Sequence, residues 1–117
     1  MKYIMLYMLS DIHLEEVMRE TIDNLYNMQP NEINQVAIDK LDEMLDRCTI
    51  NLIAALTGIT RTTLYRWLDP KLPLDVMDYK QAAWLILVCE TSPKIQLLLS
   101  RPPLSHPRLA KRITDEV

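Results

Sequence analysis

From Leu14 onward, apolar residues return at steps of three and four, the spacing that gathers them on one side of a helix. Leu14, Met18, Ile22, Leu25 and Met28 make the first such stripe. It predicts a helix capped by Ser10 or Asp11 and ending near Met28, with Glu15 and Glu16 suited to its positive end. The nine residues before Ser10 are mostly apolar and fit a short strand, a helix start, or an arm that packs on a partner. Pro30 and Asn31 break and restart the chain. A second stripe follows, of Ile33, Val36 or Ala37, Leu41, Met44, Leu45 and Cys48, and predicts a helix over 32–47. The other side of that helix is acidic, with Glu32, Asp39, Asp42, Glu43 and Asp46.

Thr49 suits the N-cap of a short helix over 50–57, and Thr60 the cap of another that stops near Asp69-Pro70. A loop over 71–74 leads to Asp75, which is placed to cap a helix running to about Glu90. Within it, residues 82–89 are eight apolar side chains in a row, Ala82 to Cys89. A helix that is apolar all round is usually covered on every side, so this run is expected to be core, or core plus a dimer contact. Ser92-Pro93, a capping residue followed by proline, starts a last short helix over 95–99. Pro102, Pro103 and Pro107 end regular structure. The remaining tail carries Arg101, Arg108, Lys111 and Arg112 with His106, and reads either as a basic arm lying on nucleic acid or as a simple chain end.

Composition narrows the class. One Gly, seven Met and few β-branched runs in 117 residues favour helix over hairpins. With 49% hydrophobic and 25% charged residues, the expected fold is all-α, a single domain of five or six helices. The opening MKYIMLYML is too short to span a bilayer and has no small-residue cleavage site, so a cytoplasmic protein is expected. Cys48 and Cys89 sit in apolar helical contexts and read as buried thiols rather than a disulfide or a metal site.

The segment Ile50-Asn-Leu-Ile-Ala54-Ala-Leu-Thr-Gly58-Ile-Thr-Arg61-Thr-Thr-Leu64-Tyr-Arg66-Trp67-Leu-Asp69 holds the chain's single glycine between two apolar-periodic runs. Glycine tolerates positive φ, so its use here marks a backbone requirement. Ile59, Leu64 and Trp67 or Leu68 would bury one face of the second helix, and Trp67 reads as core rather than as a stacking residue. Arg61, Thr62, Tyr65 and Arg66 fall on the opposite face. With Ala54, Gly58, Ile59, Leu64 and Trp67 in their places, the segment resembles the helix-turn-helix units of bacterial and phage DNA-binding proteins. It is most similar to those of the Fis and NtrC-type family and of the serine resolvases and invertases. Thr57 departs from that pattern, where a larger apolar residue is usual.

The resemblance implies a trihelical unit in which helix 32–47 braces, helix 50–57 crosses the DNA backbone, and helix 60–68 enters the major groove. Thr60, Arg61, Thr62, Thr63, Tyr65, Arg66 and Lys71 become the expected DNA-binding residues, with Arg61 suited to two bonds with guanine. Residues 1–30 would then be a helical arm and possible dimerisation element, 31–100 the DNA-binding domain, and 101–117 a flexible basic tail. The implied function is transcription regulation on double-stranded DNA by a homodimer.

Charge adds to this picture. Residues 1–46 carry three Lys or Arg against ten Asp or Glu, while residues 47–117 carry ten against six. The basic half suits nucleic acid. The acidic half leaves open an adaptor that engages a host protein such as RNA polymerase. Catalysis is not expected: one Gly cannot build a phosphate loop, and His13 and His106 lack metal-ligand spacing. No cofactor and no metal site are expected.

Overall fold

The computed structural model describes residues 2–104, with side chains from Leu14 onward. Six α-helices and one 3₁₀ turn are formed among these residues, and no strand: α1 (Lys2–Tyr26), α2 (Pro30–Leu45), α3 (Ile50–Thr57), α4 (Arg61–Leu68), the turn Leu74–Val76, α5 (Tyr79–Thr91) and α6 (Pro93–Leu99). The protein is all-α, as its composition and periodicity imply.

α5 is the hub. It packs on α2 and on α1, and meets α6 after a bend of 80° at Ser92. Ala37, Leu41 and Met44 of α2 and Ala82, Leu85 and Cys89 of α5 are completely buried in this seam. Lys40 and Glu90 bridge the same two helices at 3.4 Å. α3 and α4 form a second layer at the C-terminal end of α2, α4 packing on α3 and α3 on α2.

Local chemistry sets most of the boundaries. Pro30 opens α2 from an extended Gln29, where its missing N–H has no acceptor to lose. The Thr49 hydroxyl accepts the N–H of Leu52 at 3.3 Å and opens α3. Gly58 closes α3 with φ 75° and ψ 8°, its N–H reaching the Ala54 carbonyl at 2.9 Å. Ser92 ends α5 and its hydroxyl accepts the Ile95 N–H at the start of α6, with Pro93 next in line.

Two expectations are corrected. α1 runs unbroken from Lys2, which is the helix-start alternative for the opening residues, but Ser10 and Asp11 then lie inside the helix instead of capping it, and it ends at Tyr26 rather than Met28. Asp75 belongs to the 3₁₀ turn, and α5 is instead capped by Asp78, whose carboxylate accepts the Lys80 N–H at 3.0 Å. The reason is tertiary: the buried Asn34 amide of α2 donates to the Leu74 carbonyl at 2.8 Å and ties that turn down. The apolar run 82–89 is core on the side of Ala82, Leu85, Ile86 and Cys89, while Trp84 is 51% exposed. Its indole N–H donates to the Thr57 carbonyl at 2.8 Å, which stands the ring over the end of α3.

Cys89 is fully buried, whereas Cys48 is half-buried. Burial pushes the Cys89 thiol up to about 12, so it stays protonated and inert at neutral pH. No helix among the described residues is by itself long and apolar enough to cross a membrane. Residues 101–104 return to α2: Arg47 donates from Nε to the Arg101 carbonyl and the Leu104 N–H bonds the Asp46 carbonyl, each at 2.8 Å. The root of the basic tail is therefore fixed, while Arg108, Lys111 and Arg112 lie outside the described residues.

Candidate nucleic-acid interface

α4 is an eight-residue helix with a sharp division between its faces. Leu64 is fully buried and Trp67 is 5% exposed, both within the main core. Arg61, Thr62, Tyr65 and Arg66 are exposed on the outer side. Arg61 with Tyr65, and Thr62 with Arg66, are i, i+4 neighbours, so the four side chains occupy two adjoining rows on the outer side. So short a helix is not stable alone; its buried face must hold it.

The turn that delivers α4 is tightly bonded. The Thr57 hydroxyl donates to the Ile53 carbonyl at 2.8 Å and accepts the Ile59 N–H at 3.2 Å. A buried threonine therefore does at this position what an apolar side chain cannot: it stitches the end of α3 to the chain beyond Gly58. Thr60 then caps α4. Its hydroxyl accepts the Thr63 N–H at 3.3 Å and donates to the Thr63 hydroxyl at 3.0 Å. Both hydroxyls are thus engaged in the cap. The backbone N–H groups of Arg61 and Thr62, at the start of the helix, have no acceptor within it, and the helix dipole favours a negative group there.

Between α3 and the start of α4 lies an open groove lined by Asn51, Ala54, Ala55, Gly58, Ile59, Thr60 and Arg61. Ala54, Ala55 and Gly58 in its lining are small, which leaves room for the Arg61 side chain beside α3. Arg61 Nη1 donates to the Asn51 carboxamide oxygen at 3.1 Å. Asn51 is the residue that the sequence reading missed. The available signal was its register, since 51, 54, 55 and 58 fall on one face of α3.

The basic residues continue towards the end of the helix and past it. Arg66 lies in the last turn of α4, and Lys71 is exposed in the loop beyond it, its N–H bonded to the Asp69 carboxylate at 2.9 Å. The charge along this surface is modestly positive, with Arg61, Arg66 and Lys71 set against Asp69. Comparison with family models, curated proteins and solved structures finds no match. Among the described residues no three His, Cys, Asp or Glu side chains gather in a way that would hold a metal ion. What the surface can offer chemically is the cationic donors of Arg61 and Arg66, the Thr62 hydroxyl and a half-exposed phenol, on a helix whose other face is held in the core.

Proposed function

We propose that the chain binds double-stranded DNA as a sequence-specific transcriptional regulator, laying the outer face of α4 into the major groove. The observation that carries this reading is the division of α4 itself. Leu64 and Trp67 lock one side into the core, while Arg61, Thr62, Tyr65 and Arg66 stand outward together. A convex helix bearing arginines and hydroxyls fits the width of a major groove and the acceptors that line it. The αL turn at Gly58 and the bracing of α3 by α2 fit the trihelical arrangement such helices use.

One recognition helix reads few base pairs, so a second copy is part of the proposal, each supplying a half-site about one DNA turn apart. The outer stripe of α1, with Met18 at 38%, Ile22 at 47% and Tyr26 at 89% exposure, suits that contact.

The test is a titration of a DNA duplex at several salt concentrations. Each phosphate neutralised contributes a slope of about −0.9 to log affinity against log salt. With Arg66 and Lys71 of each of two protomers on phosphates, a slope of about −4 is expected. A flat response would contradict DNA binding. It would favour instead an adaptor whose acidic α2 face, with Asp39, Asp42, Glu43 and Asp46, engages a protein such as RNA polymerase.

A further inference from the structure

The geometry points to Asn51 as a positioning residue for Arg61, and so as a determinant of which bases α4 selects. The inference rests on the DNA-binding reading above and assigns a role to a residue on the neighbouring helix. Arg61 is the first residue of α4, exposed and carried on a long side chain. Such a guanidinium samples many rotamers, and fixing one of them on binding opposes association. The 3.1 Å bond from Nη1 to the Asn51 oxygen selects one conformation beforehand. Both residues line the same groove as Ala54, Ala55 and Gly58, whose small size leaves it open.

The bond also decides which part of the arginine is presented. Arg has five N–H donors in a rigid fork. One on Nη1 is taken by Asn51, which leaves the edge formed by Nε and Nη2 with its paired donors. That edge matches two adjacent acceptors, as on guanine O6 and N7. Lysine at 61 has no such second edge, and aspartate at 51 would preserve the acceptor while adding a negative charge.

The experiment uses the full chain and a duplex enriched by it from a random pool, with a random-sequence duplex as reference. Asn51→Ala, Asn51→Asp, Arg61→Ala and the Asn51→Ala/Arg61→Ala double variant are compared after their thermal melts are shown to match the parent. Asn51→Ala is expected to weaken binding to the enriched duplex about tenfold, the size of one good base contact's discrimination. Affinity for the random duplex should stay within about twofold. In the Arg61→Ala background the same change should add nothing, because the group it positions is gone. Asn51→Asp should lower affinity for both duplexes and keep their ratio, since its acceptor still holds the guanidinium.

Equal losses on the two duplexes, or losses that add in the double variant, would overturn the proposal by making Asn51 a DNA contact in its own right. Unchanged binding by Asn51→Ala would overturn it by showing the bond idle. A parent chain that enriches no sequence at all overturns the DNA reading first and this inference with it, before any variant is measured.

Discussion

Leu64→Ala is expected to lower the free energy of unfolding by about 2–5 kcal/mol. Leu64 is completely buried, and its truncation removes both the transfer of a large side chain from water and the packing around it. α4 feels the loss disproportionately, because eight residues hold to the molecule mainly through Leu64 and Trp67. Leu52, on the neighbouring helix, is 43% exposed, and Leu52→Ala should stay within about 0.5–1 kcal/mol of the parent. Urea unfolding monitored by far-ultraviolet circular dichroism measures both. A loss below about 1 kcal/mol for Leu64→Ala would mean that α4 is not docked as described.

Gly58→Val is expected to cost about 1–3 kcal/mol by forcing a β-branched residue to φ 75°. Nothing lies within 4 Å of the position a Cβ would take there, so the cost is backbone strain and not collision. That distinction is testable. Asn visits the left-handed region more readily than other side chains, so Gly58→Asn should retain most of the stability that Gly58→Val loses. Similar losses for both would indicate a steric origin and contradict the open space around the turn. Because the strain falls on the link between α3 and α4, Gly58→Val should also lower affinity for DNA at temperatures where the variant remains folded.

The parts of the fold that were legible in the sequence are those decided by neighbours in the chain. Thr49, Gly58, Thr60 and the Ser92-Pro93 pair each act within four residues of themselves, so local capping chemistry is enough to place α3, α4 and α6. The apolar stripes of α2 and α4 have a single buried side, and periodicity reports it directly. Where the reading went astray, a distant partner intervenes. Asp75 and Asp78 are equally able to cap a helix, and the choice between them follows from Asn34 holding the Leu74 carbonyl across 40 residues of chain. Trp84 sits in a run of apolar residues, but its indole N–H needs an acceptor. The acceptor it finds, on Thr57, leaves half the ring in solvent.

The candidate site shows the same division. The exposed face of α4 was readable from its spacing, since Arg61, Thr62, Tyr65 and Arg66 alternate with a clear buried set. Asn51 was not, because a polar residue in the first turn of a short helix looks like an ordinary solvated position. Its significance appears only when the chain turns at Gly58 and brings Arg61 back across ten residues. Thr57 likewise stands out in sequence only as a departure from the helix-turn-helix pattern. In the folded chain its hydroxyl makes two bonds that hold the turn.

The most direct measurement is the affinity of the parent and Arg61→Ala for a single enriched duplex at fixed salt, repeated on copies with one base pair changed at a time. A helix seated in the major groove predicts a loss of about 1–3 kcal/mol together with relaxed selectivity at one base pair. Arg61→Ala binding every copy as tightly and as selectively as the parent would contradict it.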